Sequence, residues 1–192
     1  MRTSPKGVEL KTKDIVLVAL FAALLVVLGL IPPIPMPLVP VPLTLQTFGL
    51  MLAGLLLGPV RGGLVLLLYV ALALLGLPVL PGGRAGLAVL AGPTAGFLLG
   101  MIPGAALTGW VAGTVSAMPK TTALRDTLRC TLAAVLGGIV VVYSLGIPWL
   151  AFVANMTLAK ASLAVLVFLP GDLLKAVVAA VVAQRIRRVN II

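Results

Sequence analysis

Charge is confined to a few short stretches of this chain, and long apolar runs separate them. Residues 15–60, 62–83, 85–119, 130–159 and 161–171 contain no Asp, Glu, Lys or Arg. A helix needs about 20 apolar residues to cross about 30 Å of hydrocarbon, so the longest runs have room for one or two crossings each. The pattern predicts a first helix from Asp14 to Leu30. Pro32, Pro33, Pro35, Pro37, Pro40 and Pro42 then forbid regular helix and predict a stiff extended loop that can dip into the membrane. A second helix is expected from Thr44 to "LLLGPVRGG", and a third from Gly63 to Leu75. Both are short for a crossing, which implies local thinning or tilted neighbours.

The Gly- and Pro-rich segment 76–96 reads as a loop, and a fourth helix follows from Thr94 to Ser116. "MPKTTALRD" (118–126) reads as a polar turn, and a fifth helix from Thr127 to Leu145. Residues 146–162 are mixed, with room for a short interfacial helix; the last helix begins near Pro170 and ends in "QRIRR". The expected architecture is all-α, with six transmembrane helices. Residues 1–13 form an N-terminal tail, 14–188 the membrane domain and 189–192 a C-terminal tail.

Composition agrees with the pattern. Of the 192 residues, 61% are hydrophobic and only 9% charged, a balance that would give a soluble domain an oily surface. The net charge of +10 is spread along the chain or held at helix ends, with no patch of stacking aromatics, so nucleic acid is not an expected partner. Six crossings put Arg2, Lys6, Lys11, Lys13, Arg61, Lys120, Arg125, Arg129, Arg185, Arg187 and Arg188 on one face, 11 of the 14 basic residues. The positive-inside rule makes that face cytoplasmic, and both termini with it, in a multi-pass protein of the cell membrane. Only Arg84, Lys160 and Lys175 remain for the opposite face. The first apolar run continues into the Pro-rich stretch rather than a small-residue cleavage site, and so reads as a helix, not a signal peptide.

Charges at the outer ends of helices carry the candidate chemistry. Asp172 and Lys175 stand at i and i+3 after Pro170–Gly171, and so share a face in the first turn of the last helix. As structure alone, Asp172 is a cap and Lys175 a snorkelling neighbour. As a site, the pair is a polar anchor in an outward-opening pocket, with Asp172 accepting N–H groups and Lys175 donating to or neutralising an anion. Arg84, flanked by Gly82, Gly83 and Gly86, is either a solvated loop residue or a bidentate grip on a carboxylate. Gln46, Thr94, Tyr143 and Asn155 are weaker polar candidates near expected outer ends. Gly92, Gly96, Gly100 and Gly104 recur every four residues and predict a smooth face for close helix packing. Ala19, Ala22 and Ala23 form a small-residue patch on the first helix, suited to internal packing or to a partner subunit, and Gly54 and Gly58 carry the same two readings.

Absences exclude other classes. There is no histidine, and hence no usual general base or activator for a hydrolase. There is no GxxxxGK[ST] loop for ATP, no G-x-S-x-G, and no carboxylate cluster suited to a metal. Cys130 is the single cysteine, so no intrachain disulfide can form. No catalytic residue, metal or cofactor is expected. A binding protein, a ligand-free membrane scaffold and, least well supported, an intramembrane enzyme are the classes left.

Four segments, "TKDIVLVALFAALLVVLGLIPPIP", "VPLTLQTFGLMLAGLLLGPVRGG", "LGLPVLPGGRAGLAVLAGPTAGFLLG" and "LPGDLLK", occur in this order. Together they resemble the BioY family, the biotin-specific substrate-binding (S) components of energy-coupling-factor (ECF) transporters. The resemblance covers roughly residues 11–188, and 118–165 contributes few diagnostic residues to it. It implies six helices and high-affinity capture of biotin from outside. Its implied partners are a transmembrane coupling (T) protein and a pair of cytosolic ABC-type ATPases, which supply the energy. It also implies toppling of the S component during transport, coupling-protein contact at Ala19 and Ala23, and pocket roles for Asp172, Lys175 and Arg84. The acidic residue suits the ureido N–H groups of biotin; Lys175 or Arg84 suits its ring oxygen or carboxylate. A related vitamin with a ring and a carboxylate tail is the nearest alternative ligand.

Overall fold

The computed structural model describes residues 11–36, 39–116 and 123–189. The two expected tails lie largely outside these residues, as does most of the turn expected at 118–126. Helix α1 spans Thr12–Leu30. Asp14 opens it, accepting the Lys11 backbone N–H at 3.0 Å near the positive end of the helix dipole. The Pro-rich segment beyond it is a two-stranded antiparallel ribbon, β1 (Ile34–Met36) and β2 (Val39–Leu43), with Ile34 opposite Leu43 and Met36 opposite Val39. Proline lacks the N–H a central strand needs, and a two-stranded ribbon has only edges.

Helix α2 spans Gln46–Leu74 and is broken at Gly58, whose φ of 82° and ψ of −175° are open only to glycine. Pro59 follows, pre-set for the first turn of a new helical arm. The two arms, 46–57 and 59–74, fold back on each other. Gln46 Nε2 lies 2.7 Å from the Tyr69 hydroxyl, whereas a straight helix would hold these residues about 34 Å apart. A β-carbon on Gly62 would lie 3.1 Å from the Gly54 Cα. The expected break near Gly63 therefore falls five residues earlier, where a Gly–Pro pair permits it.

Helix α3 spans Ala95–Ser116. Its glycine face takes internal neighbours: β-carbons on Gly96, Gly100 and Gly104 would collide with Trp149, crowd Val142 and strike the Gly137 carbonyl. This is the close helix packing expected of the repeat, except at Gly92, which precedes α3 and ends the 3₁₀ turn Leu87–Ala91. Helix α4 (Ala123–Val135) runs through a π-helical turn, Leu136–Val141, into α5 (Val142–Val153). The fifth helix thus extends eight residues beyond its expected end at Leu145. Pro148 does not stop it, because in an apolar surround the lost hydrogen bond gains nothing from unwinding. Asn155 ends the helix in the left-handed region, at φ 51°.

The short helix expected in 146–162 is α6 (Leu158–Val165), capped by the Thr157 hydroxyl. A 3₁₀ turn, Leu166–Phe168, joins it to α7 (Leu169–Arg188), which begins one residue before Pro170, near the expected start. Among the described residues, five helical stretches are long and apolar enough to cross a membrane: Thr12–Leu30, Gln46–Leu74, Ala95–Thr114, Ala123–Val153 and Leu158–Arg188. The second is the one folded back at Gly58.

Contacts define two poles. At one, Asp14 pairs with Arg61 at 2.8 Å, Arg187 donates to the Leu55 carbonyl, and the Thr127 hydroxyl meets Gln184 Oε1 at 3.1 Å. The start of α1 and the end of α7 therefore share a pole. At the other, the end of α1, the ribbon, the 75–94 loop and the start of α7 converge. Leu25, Leu50, Leu55, Leu66 and Tyr69 are fully buried between the poles. Leu20, Val27, Leu67 and Leu163 point outward, as lipid-facing residues do.

Candidate functional site

A cavity of about 690 Å³, including the space at its open mouth, lies at the second pole. Its walls come from β2, the first turn of α2, the 75–94 loop, α3, α5 and the head of α7. Leu43, Leu98, Met101, Val142 and Phe168 give it a mostly apolar lining.

Asp172 and Lys175 form the charged pair of the lining, and their chemistry is nearly closed. The Asp172 side chain is 5% exposed and that of Lys175 11%. Asp172 Oδ1 accepts Lys175 Nζ at 2.8 Å and the Thr47 hydroxyl at 2.9 Å; Oδ2 accepts the Tyr143 hydroxyl at 2.7 Å. A carboxylate has about four acceptor positions, so Oδ2 can accept one donor more. Lys175 also donates to the Thr44 carbonyl at 2.7 Å and to the Thr47 hydroxyl at 3.2 Å. Its three N–H groups are thus committed inside the protein, and it acts on the site as a buried counter-charge that holds the Asp172 side chain in place.

Tyr143 is aimed by its surroundings. Its ring packs edge-to-face on Phe97, with centroids 6.2 Å apart at 82°. Gly146, one turn on, leaves room for the Phe97 ring, which any β-carbon there would strike. Phe97 and Tyr143 together give the cavity a flat aromatic wall beside the carboxylate.

Arg84 lines the cavity from the 75–94 loop and is exposed, whereas Asp172 is buried. Its tight turn is closed by Leu80 N–H to Arg84 O at 3.3 Å and Gly83 N–H to Leu80 O at 2.9 Å. Gly82, Gly83 and Gly86 have φ of 78°, 71° and 79°, which is why the turn is built from glycine. The guanidinium donates through Nε to the Pro81 carbonyl at 3.2 Å and through one terminal nitrogen to Thr94 Oγ1 at 3.1 Å. These bonds orient it and leave part of its donor fork for an anion. The charged lining residues, Arg84, Asp172 and Lys175, sum to one positive charge.

Of the residues singled out from sequence, Asp172, Lys175, Arg84, Gln46, Thr94 and Tyr143 all line this cavity. Asn155 does not: it is exposed in the turn between α5 and α6, and its polar side chain suits a left-handed turn position rather than a ligand contact. Thr44, Thr47 and Phe97 are lining residues the sequence did not single out. A threonine beside Gln46 in "TLQT" was the available signal for Thr47. On α1, Ala19 and Ala23 are exposed whereas Ala22 is buried, so the three alanines do not share one surface.

The BioY family model matches residues 1–191. The chain is 48% identical over 177 residues to the biotin transporter BioY of Rhizobium etli, covering 92% of this chain and 94% of that one. It is 43% identical over 183 residues to the biotin transporter BioY of Rhodobacter capsulatus, covering 91% and 93%. A solved structure of the S-component for biotin from an ECF-type ABC transporter superposes with a TM-score of 0.84 at 32% identity, covering 94% of this chain and 95% of that one. Carried by matches that run the length of the sequence and of the fold alike, the chain belongs to the BioY family.

Proposed function

We propose that this protein captures biotin as the S component of an ECF-type uptake transporter, and that its cavity grips the vitamin at both ends. The observation that carries the ligand assignment is the unfilled acceptor position on Asp172 Oδ2, at the inner end of a mostly apolar cavity whose rim holds Arg84. Biotin carries a ureido ring with N–H donors, an apolar thiolane and a carboxylate. The ureido N–H meets Asp172, the thiolane lies on the Phe97–Tyr143 wall, and the carboxylate meets Arg84. Gln46 and Thr94 complete the polar contacts at the two ends. The net positive lining is neutralised by a monoanion.

The chain crosses the cell membrane six times in this reading, with the two arms of α2 counted as separate crossings. The folding back at Gly58 and the shared pole of α1's start and α7's end support that count. Both termini are cytoplasmic by the positive-inside rule, and the cavity opens to the outside. No bond is made or broken in the ligand, so the function is transport rather than catalysis. Energy comes from a coupling protein and two cytosolic ATPases, with Ala19 and Ala23 on the face of α1 that meets the coupling protein.

The test is calorimetric titration of the purified protein with biotin and with other ring-and-carboxylate vitamins. Selective, stoichiometric biotin binding is expected. Absence of biotin binding, or equal binding of another vitamin, sinks the ligand assignment. Uptake into vesicles with and without the coupling protein and ATPases tests the energy source.

A further inference from the structure

Tyr69 lies outside the cavity lining and is completely buried, yet one atom of it ties together two segments that build the cavity wall. Its hydroxyl accepts Gln46 Nε2 at 2.7 Å and donates to the Val79 carbonyl at 2.8 Å. Gln46 belongs to the first turn of α2, beside Thr47, which holds Asp172 and Lys175. Val79 belongs to the loop that carries Arg84 five residues on. That loop has a second tie to the same arm of α2, from Gly86 N–H to the Ala73 carbonyl at 2.7 Å. The end of α1 closes over the link: a β-carbon on Gly29 would lie 2.6 Å from the Val79 oxygen and 3.0 Å from the Tyr69 hydroxyl.

We propose that Tyr69 is a positioning residue that sets the length of ligand the cavity accepts. Through Gln46 it holds the Asp172 end, and through Val79 it holds the Arg84 end, so its hydroxyl fixes the span between them. A ligand bound at both ends is then selected for the number of methylenes between ring and carboxylate. This rests on the reading that the ring meets Asp172 and the carboxylate meets Arg84.

The experiment measures affinities of the full-length protein for biotin and for its homologues one methylene shorter and one longer. Tyr69→Phe keeps the ring and removes the link. It should reduce the preference for biotin over each homologue by about two- to tenfold, the range set by one net hydrogen bond. Gly29→Ala, which pushes on the same carbonyl from α1, should reduce that preference in the same direction. A merely structural role would lower all three affinities by one factor, and that result, or an unchanged preference in both variants, overturns the proposal. Arg84→Gln, titrated with biotin and biotin methyl ester, separates the two failures. If Arg84→Gln weakens biotin but not the ester while preference is unchanged in Tyr69→Phe and Gly29→Ala, only the Tyr69 role falls. If Arg84→Gln treats acid and ester alike, the carboxylate assignment falls and this proposal with it.

Discussion

The Tyr143 hydroxyl donates to Asp172 Oδ2 at 2.7 Å, linking α5 to the head of α7 across the cavity. The other carboxylate oxygen is held by Lys175 and Thr47. A carboxylate braced on both oxygens, with one acceptor position open, is pre-organised to receive a single N–H donor without moving. Binding then avoids the cost of ordering that side chain.

Removing the charge should be severe. Asp172→Asn leaves Lys175 as a buried charge with no counter-ion, a change of about 3–5 kcal/mol in comparable pairs. Biotin affinity should fall at least 100-fold by calorimetry, and the midpoint of thermal unfolding in detergent should fall with it. Asp172→Asn combined with Lys175→Met should recover the unfolding midpoint but not the affinity. Unchanged affinity in Asp172→Asn would reduce Asp172 to a helix cap.

Arg84 is exposed and oriented by Pro81 and Thr94, so its loss should spare the fold. Arg84→Gln should weaken biotin by about 10- to 100-fold, the range of a charge-assisted contact of about 1.5–3 kcal/mol. Biotin methyl ester, without the negative charge, should be affected little. Competition binding with the two ligands measures the difference.

The three alanines of α1 should separate. Ala19→Arg and Ala23→Arg change an exposed face, and should leave biotin binding intact while reducing uptake in vesicles that contain the coupling protein and ATPases. Ala22→Arg places a charge among buried neighbours and should reduce the yield of folded protein by size-exclusion chromatography.

The reversal in α2 should tolerate only glycine. Gly58→Ala forces a β-carbon into a backbone region that costs about 1–3 kcal/mol, and should lower the unfolding midpoint. Gly109→Ala should be worse, because its β-carbon would meet the backbone of Gly58 on the facing arm.

The amino-acid sequence alone determined that the chain is a helical membrane protein and which polar residues were scarce enough to matter. Asp172 and Lys175 were legible as a pair because helical periodicity brings i and i+3 together. Arg84 was legible because it interrupts a charge-free run between glycines. Periodicity carries no information across a chain reversal, however. Only the fold-back at Gly58 brings Tyr69 to Gln46, and only the packing of α2 against α7 brings Thr47 to Asp172. These are ordinary residue types whose role comes from partners 23 and 125 positions away. The same limit explains Asn155, a polar residue at a helix end that lies outside the cavity lining, and Ala22, which is buried although Ala19 and Ala23 beside it are exposed. Local chemistry fixed which side chains were able to anchor a ligand. Tertiary packing decided which of them converge, since the distance between residues far apart in sequence is set by how the helices fold back and dock.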